Sequence, residues 1–370
     1  MSQDFLEHAR EIGQNTQRTQ IVSSLQLPII TLSDGRQIIN LLTKDYLGLA
    51  NHPLLVKTAT DAFEEMHFGL STSVFLRNTQ TVCRELEINL SRFLGTEESM
   101  FIFSCFDIQN ELYKNFLDTD DAIICDASNQ KPAHYKFQNI ADLEQILRQT
   151  KYHRYRLIIV EGISSLDGRM TNLPVMCELA KKHHALLIVD DSHGAGFIGP
   201  TGKGTHEYHR SMNQVDLLIH SFGQTAGSYI SGRKALIDWL RQRIQPSTMT
   251  KSIAIATMLG VLELLFRSEE RVQHLHQNAL YLRKALHALR FTVLPGHHPI
   301  ISIIIKTPEL AQQIVESLFR EGVHAEALSS PQLPKNQARI RMQISASHQK
   351  WHLDKAIDAF MIVGKKLGVI

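Results

Sequence analysis

Four groups of residues that could do chemistry stand directly after apolar, strand-like runs of the chain. They are Ser104-Cys105-Phe106-Asp107, Glu161 to Asp167, Asp190-Asp191-Ser192-His193 and Ser221-Phe222-Gly223-Gln224. In an open parallel sheet, ligands bind beyond the carboxyl ends of the strands. A ligand there would meet carboxylate, hydroxyl and imidazole groups from several strands at once. These four groups therefore predict one site at a single edge of the sheet.

Asp190 and His193 are close enough in sequence to act on one ligand. Asp190 directly follows the apolar run ALLIV, where a carboxylate is half buried. Burial of that charge costs free energy unless a cation or a ligand compensates it. His193 stands three residues later, close enough to reach the same ligand. Taken singly, Asp190 is explained more simply as a cap on the following turn, and His193 as a loop histidine.

Two other chemistries are not supported by the sequence. The segment GPTGKGT (199–205) looks like a phosphate loop, but Phe197 stands where that loop needs glycine and Gly204 where it needs serine or threonine. A serine hydrolase is unsupported because the chain contains no G-x-S-x-G elbow.

The elements that must position these residues are indicated by the middle of the chain. Short apolar runs at 98–104, 121–127, 156–162, 185–191 and 216–222 surround helical patterns at 143–149 and 175–184. Continuous apolar strands separated by helices are typical of a parallel sheet covered on both faces. The predicted fold class is α/β, with a mostly parallel central sheet flanked by helices.

The C-terminal third of the chain predicts a smaller α+β domain. After Pro246 the pattern indicates one long amphipathic helix, from about Ser252 to Leu289. Strands are predicted at 291–295, 299–306 and 338–345, and helices at 308–322 and 351–368. Such local pairings favour a separate unit. The predicted organisation is an N-terminal segment 1–45, a large α/β domain 46–250, and a linking helix with the small domain 251–370.

Composition narrows the class of protein and its partners. The chain has 370 residues, 43% of them apolar, and a formal net charge of +2. A net charge this close to zero shows no excess of basic residues that would bind the phosphates of nucleic acid. Cys83, Cys105, Cys125 and Cys177 show no metal-ligand spacing and suit a reducing compartment. The first 20 residues have no apolar core of signal-peptide length, and no apolar run approaches membrane-spanning length, so the sequence predicts a cytoplasmic protein that does not contact a membrane.

The segment VDDSHGAGFIGPTGKGTHEY (189–208) closely resembles the α-oxoamine synthases. Further resemblance lies in DYLGLANHP (45–53), in FSCFDIQNELYKNFLDTDDAIICDA (103–127), in QARIRMQISASH (337–348) and in GKKLGVI (364–370). Members of this family are fold-type I pyridoxal-phosphate (PLP) enzymes that condense an amino acid with a coenzyme A (CoA) thioester. The resemblance implies the fold-type I architecture and a homodimer, or a heterodimer with an active homologue.

The resemblance also implies a role for individual residues. Asp190 would pair with the pyridine nitrogen and His193 with the ring hydroxyl, with Ser165 beside the cofactor. Arg341 would receive the substrate carboxylate, since its planar fork matches a carboxylate. The remaining cofactor residues implied are Ser104, Cys105 and Phe106, whose backbone would hold phosphate, Ser221, and Thr250, which would reach the partner subunit's phosphate.

Three positions depart from the family pattern. Gln224 stands in place of the lysine that forms the Schiff base and moves the substrate α-proton, and a carboxamide can do neither. Gln130 stands in place of the histidine that stacks on the pyridine ring, within a shortened segment 126–139. Asp45 replaces a substrate-side asparagine, and its negative charge disfavours a substrate carboxylate nearby.

These departures leave three hypotheses open. In the first, the chain is a degenerate family member that serves as a non-catalytic subunit or as a ligand-binding protein. In the second, it is an active acyltransferase in which a displaced lysine, with Lys251 as the candidate, replaces the missing one. In the third, PLP binds noncovalently through the persisting residues and supports residual chemistry.

Overall fold

Strands and helices alternate through the chain in the order that the apolar runs predict. The computed structural model describes residues 28–66, 77–102, 120–126, 133–135, 139–221, 227–244, 252–330, 332–334 and 336–370. Within these ranges the strands are β1 (Ile29–Thr31), β2 (Gln37–Asn40), β3 (Glu98–Ile102), β4 (Ala122–Asp126), β5 (Ala133–Tyr135), β6 (Arg156–Glu161), β7 (Leu186–Asp190), β8 (Leu217–Ser221), β9 (Ser228–Gly232), β10 (Ile300–Ile305), β11 (Val323–His324), β12 (Glu326–Leu328) and β13 (Ala338–Gln343). The helices described are α1 (Pro53–Met66), α2 (Arg77–Leu94), α3 (Ile140–Gln149), α4 (Leu173–Lys182), α5 (Thr205–Tyr208), α6 (Lys234–Arg243), α7 (Ser252–Leu265), α8 (Glu269–Ala288), α9 (Pro308–Arg320) and α10 (Lys350–Lys366).

The central sheet has the strand order β3-β9-β8-β7-β6-β4-β5. Strands β5, β4, β6, β7 and β8 run parallel, whereas β9 is antiparallel to both of its neighbours. The middles of β6, β7 and β8 are buried, as continuous apolar strands of a covered parallel sheet should be. The predicted mostly parallel central sheet is therefore confirmed.

Helices cover this sheet on both faces. Successive side chains of a strand point to opposite faces, so Ile158 packs with Leu147 of α3 and Met176 of α4, and Ile159 packs with Ile237 of α6. These contacts form two separate apolar layers around one sheet. None of the helices that the structure describes is both long enough and apolar enough to cross a lipid bilayer.

The prediction of a single helix over 252–289 is wrong, because the structure has two helices, α7 and α8, in this region. The break falls at Ser268, the N-cap residue of α8, whose hydroxyl donates to the carbonyl of Leu264. Glu269 and Glu270 then occupy the first turn, where acidic side chains favour a helix start. The apolar periodicity continues through both helices, which is why it indicated only one.

The C-terminal region is built on an antiparallel sheet with the order β10-β13-β12. Leu282 of α8, Ile314 of α9 and Phe360 of α10 pack against it in one apolar core. The strand predicted at 291–295 is wrong, because only Val293 pairs there, as an isolated bridge to Ile303. The strands and helices predicted beyond residue 299 are confirmed.

The described part of the N-terminal segment packs with the C-terminal region. Strand β2 pairs with β1 on one side and with β11 on the other, with Ile39 opposite Val323. Ile39 and Leu41 lie in the same apolar core as the C-terminal sheet. Ile30, Leu32 and Ile38 form a separate small apolar cluster beside Phe319 of α9. This segment thus packs with the C-terminal region, while the predicted domain boundaries stay a prediction.

Candidate functional site

Three parallel strands bring their polar carboxyl ends to one edge of the central sheet. Glu161 at the end of β6 lies opposite Asp190 at the end of β7, and Asp190 lies opposite Ile219 near the end of β8. Ser221 ends β8, is half-buried, and pairs with Ser228 of β9. The sequence-based expectation of a polar sheet edge is met by these strand ends.

The Asp190 carboxylate is half-buried at this edge. Its Oδ1 accepts hydrogen bonds from the backbone N–H and the hydroxyl of Ser192, at 3.1 and 2.6 Å. The carboxylate therefore caps its own turn, as the simpler interpretation of the sequence expects. The same two hydrogen bonds fix the orientation of the carboxylate at the polar edge of the central sheet.

His193 is held as a neutral imidazole. Nδ1 of His193 lies 2.9 Å from the hydroxyl of Tyr46, which also accepts from Nε2 of Gln343 at 3.3 Å. With its oxygen accepting from the amide, the Tyr46 hydroxyl donates to Nδ1, so the imidazole proton sits on Nε2. Burial, followed by the charges of Lys44 and Arg341, lowers the pKa of His193 to about 4. Nε2 is thus a hydrogen-bond donor at neutral pH.

Ser165 is anchored by the carboxylate of Glu161, a residue of the same predicted group to which the sequence assigned no separate role. Its N–H and hydroxyl donate to Oε2 and Oε1 of Glu161, at 3.0 and 2.8 Å. Glu161 is the last residue of β6 and Ser165 follows it by four positions, and this short spacing is the feature of the sequence that could have predicted the contact. Ser165 therefore presents its backbone carbonyl, rather than its hydroxyl, to the C-terminal region.

Arg341 joins the C-terminal region to the polar edge of the central sheet, and this junction, with Asp190, His193 and Ser165, is termed the cleft. It lies in the middle of β13, and its Nη1 donates to the carbonyl of Ser165 at 2.6 Å. Its Nη2 forms a close ion pair with Glu326 of β12. The guanidinium Nε is buried without a partner among the described residues. The structure thus places Arg341 beside Ser165, and its charge reaches both His193 and Tyr46.

The carboxylate of Asp45 is used within its own turn. Its two oxygens accept from the backbone N–H groups of Leu49 and Ala50, at 2.8 and 3.1 Å. The neighbouring side chain of Lys44 is exposed, and its charge is the second-largest influence on the pKa of His193. The sequence singled out Asp45 and missed Lys44, although the two are adjacent.

Asp191, the second aspartate of the motif, is fully buried beneath the cleft. Its Oδ2 accepts from the N–H of Thr205 at 2.6 Å. A Cβ on Gly204 would lie 2.0 Å from Oδ2, and one on Gly194 would lie 2.3 Å from Oδ1. A Cβ on Gly162 would lie 2.7 Å from Oδ1. Gly162, Gly194 and Gly204 therefore let the chain close around Asp191, and of these only Gly204 lies in the phosphate-loop-like segment.

The remaining predicted site residues lie outside the described ranges. They are Ser104, Cys105, Phe106, Gln130, Gln224, Thr250 and Lys251. Their roles stay predictions. Lys203, the lysine of the glycine-rich segment, has its ammonium beside Gly95 at the end of α2.

Comparison with known proteins places the chain in a family. The model for aminotransferase class I and II matches residues 36–360. The 2-amino-3-ketobutyrate coenzyme A ligase of Salmonella typhimurium is 37% identical over 386 aligned positions, covering 99% of this chain and 97% of that protein. The 8-amino-7-oxononanoate synthase of Thermosipho melanesiensis is 34% identical over 355 positions, covering 91% of each.

A solved structure of SPT with a PLP internal aldimine has the same fold. It superposes with a TM-score of 0.90 at 21% identity, covering 99% of this chain and 98% of that chain. The agreement confirms the predicted architecture of a mostly parallel sheet flanked by helices. Together with the family match over most of the sequence, it leads to one conclusion: the chain belongs to the aminotransferase class I and II family.

Proposed function

We propose that this chain is a PLP-binding relative of 2-amino-3-ketobutyrate coenzyme A ligase that does not catalyse the condensation of an amino acid with an acyl-CoA. The observation that carries the proposal is the sequence Ser221-Phe222-Gly223-Gln224 at the end of β8. The family resemblance puts the reactive lysine at Gln224. A carboxamide neither forms an imine nor accepts a proton at neutral pH. The chain then works as a non-catalytic subunit or as a ligand-binding protein.

The polar groups of Asp190 and His193 fit a flat, hydroxylated pyridine ring. Asp190 presents an oriented carboxylate at the sheet edge, and His193 presents an N–H from Nε2. A carboxylate beside a pyridine nitrogen keeps that nitrogen protonated, and PLP so held supplies an electron sink. The arrangement supports retention of the ring, while Gln224 removes the covalent anchor.

Hydrogen bonds within the chain hold the polar side chains of this cleft in fixed orientations. Tyr46 fixes the tautomer of His193, and Glu161 fixes Ser165, so neither side chain has to reorganise when a ligand enters. Pre-oriented donors of this kind favour binding whether or not chemistry follows. The site therefore retains recognition groups in the absence of the reactive amine.

The alternative function is an active glycine C-acetyltransferase, supported by the 37% identity to the ligase across nearly the whole chain. It would use Lys251 or another displaced lysine, or noncovalent PLP, with a CoA thioester and an amino acid as substrates. In both functions we propose a cytoplasmic protein that forms a homodimer or pairs with an active homologue, without nucleic acid or membrane partners.

The test is the mode of PLP retention. Purified protein is incubated with PLP, dialysed, treated with borohydride and measured by absorbance and intact mass. We expect wild-type protein to retain PLP that denaturation releases, with no covalent mass increase after borohydride. Gln224→Lys is expected to gain the covalent mass increase, because it restores an amine at the position where the family resemblance puts the reactive lysine. The matched control is Gln313→Lys, on the exposed side of α9.

Two outcomes would count against the proposal. A covalent cofactor on wild-type protein, mapped by peptide mass to Lys251 or another lysine, would favour the active enzyme. Condensation of glycine with acetyl-CoA by the wild-type protein would refute the non-catalytic role directly. Failure of wild-type protein to retain PLP would remove cofactor binding from the proposal and leave only the subunit role, which copurification with an active homologue tests.

A further inference from the structure

We infer that Glu326 is a specificity-determining residue that occupies Arg341 and turns the cleft away from ligands bearing a carboxylate. This inference rests on the proposed function, because it concerns the ligand of the same cleft. Arg341 and Glu326 form an ion pair that no motif in the sequence predicts. The guanidinium is the group that would recognise a carboxylate, and the chain supplies one itself.

The hydrogen bonds of Arg341 show how the guanidinium is used. Nη1 donates to the Ser165 carbonyl and Nη2 to Oε2 of Glu326, while Nε is buried and unpartnered among the described residues. An incoming carboxylate binds arginine best through two parallel N–H groups. Each terminal nitrogen has already given one of its N–H groups to a partner, so a ligand carboxylate would share the guanidinium with Glu326 and compete with it for Nη2.

The fold holds Glu326 in this position without any ligand. Strands β12 and β13 are antiparallel neighbours, and the register puts Glu326 directly opposite Arg341. Oppositely charged side chains in such a cross-strand pair attract each other. Arg341 is mostly buried, with 19% of its side chain exposed against 36% for Glu326, so the ion pair is only partly screened by solvent.

The charge of Glu326 also acts directly on a ligand. A second carboxylate brought to Arg341 would meet Glu326 at close range, and like charges in a partly desolvated site repel. A neutral group such as a carboxamide, carbonyl or hydroxyl escapes this repulsion. The geometry therefore favours ligands that present a neutral polar group at this end of the cleft.

The experiment compares two ligands that differ only in this charge. N-phosphopyridoxyl-glycine and N-phosphopyridoxyl-glycinamide are titrated into full-length wild-type protein and into Glu326→Gln by calorimetry. We expect wild-type protein to bind the amide at least as tightly as the carboxylate. Glu326→Gln is expected to bind the carboxylate about tenfold more tightly than wild type, equivalent to about 1.4 kcal/mol, with the amide changed by less than twofold.

Matched variants separate the local effect from a general change of surface charge. Glu316→Gln removes an exposed carboxylate from α9 and should leave both affinities unchanged. The double variant Glu326→Gln/Arg341→Gln should lose the gain, because the guanidinium is gone. Glu326→Ala serves as the second single variant if Glu326→Gln fails to fold, which a thermal melt reports.

The opposite role would give the opposite result. If Glu326 orients Arg341 for a ligand carboxylate, Glu326→Gln will weaken the carboxylate ligand, and the inference is overturned. An unchanged carboxylate affinity also overturns it. If neither ligand binds wild-type protein, the proposed PLP-binding function fails instead.

A cofactor-free readout keeps the inference testable in that case. Melting temperatures are measured with 100 mM sodium acetate against the same concentration of acetamide. Acetate should stabilise Glu326→Gln more than wild type, whereas acetamide should not distinguish them. No difference between the two proteins with acetate would overturn the inference independently of PLP.

Discussion

At the scale of single residues, the cleft depends on side chains that hold other side chains. Tyr46 sets the tautomer of His193, Glu161 fixes Ser165, and Glu326 engages Arg341. Tyr46 lies 147 positions from His193, and Glu326 lies outside every motif, whereas Glu161 belongs to the same predicted group as Ser165. Motifs identified Asp190, His193 and Arg341, but the contacts of Tyr46 with His193 and of Glu326 with Arg341 depend on the fold.

Among the described glycines, Gly204 is the one at which an added Cβ would come closest to a neighbouring atom. Its φ is +119°, and a Cβ there would lie 2.0 Å from Oδ2 of Asp191. Gly204→Ala should therefore lower the free energy of unfolding by several kcal/mol, combining backbone strain of about 1–3 kcal/mol with displacement of a buried carboxylate. Urea denaturation measures this change.

The control for that prediction is Gly35→Ala. Gly35 has a φ of +83°, but a Cβ there would meet nothing within 4 Å. Its substitution should show the backbone strain alone, without a clash. Equal losses of stability in the two variants would mean that the close approach to Asp191 contributes nothing.

At the scale of elements, an ion-pair network joins α2, β3 and α6. Glu87 of α2 is almost fully buried and accepts from Nη1 of Arg241 at 2.9 Å and from the N–H of Phe101 at 3.1 Å. Arg241 also donates to the carbonyl of Ser99 at 2.9 Å, which ties α6 to β3. This guanidinium therefore adds a polar link between α6 and the sheet to the apolar packing of Ile237.

Removing that guanidinium leaves a buried carboxylate with weaker compensation. Arg241→Ala should destabilise the protein by about 1–3 kcal/mol, the cost of leaving a buried acceptor without its partner, because Glu87 is buried while 38% of the Arg241 side chain is exposed. Arg84 still contacts Glu87 at 3.3 Å, which favours the lower end of this range. The control is Arg92→Ala on the exposed side of α2, and a thermal or urea melt that gave both variants the same stability would contradict the prediction.

The sequence predicted elements where the local pattern determines the structure. Continuous apolar runs located the parallel strands, because a strand buried on both faces has no polar side to alternate. The pattern failed at Ser268, where a cap interrupts an otherwise continuous periodicity, and at 291–295, where only Val293 is paired. The Glu326–Arg341 pair was beyond the sequence because it depends on the register between β12 and β13.

At the scale of the whole molecule, the cleft is assembled from both halves of the chain. The loop after β6 contacts the C-terminal sheet through Arg341 and Ser165, through Arg339 and Asp167 at 2.6 Å, and through Ser302 and the carbonyl of Leu166 at 3.1 Å. These contacts join residues more than 130 positions apart. The relative position of the two regions therefore determines the shape of the site.

Buried neutral histidines make the stability of the whole molecule depend on pH. Burial lowers the pKa of His220 and of His348 to about 4, and that of His298 to about 3. In the unfolded chain these rings take up a proton near pH 6.5. As the pH falls below that value, the unfolded state binds protons that the folded state does not, so stability falls; above it, the histidine contribution is constant.

His348 gives the sharpest test, because its neutral ring links distant segments. Nδ1 accepts from the N–H of Ser345 at 2.9 Å, and Nε2 donates to the carbonyl of Asn40 at 3.1 Å. A fully buried histidine with this pKa should reduce stability by about 2 kcal/mol between pH 7 and pH 5. His348→Gln should be less stable at pH 7 yet lose about 2 kcal/mol less than wild type on acidification, as urea melts at both values would show. The exposed His153→Gln is the control and should keep the wild-type dependence of stability on pH. If His348→Gln also kept the wild-type dependence, His348 would take up protons alike in the folded and unfolded states, and the prediction would be wrong. Carboxylates do not mimic this effect, because they titrate mainly below pH 4.5.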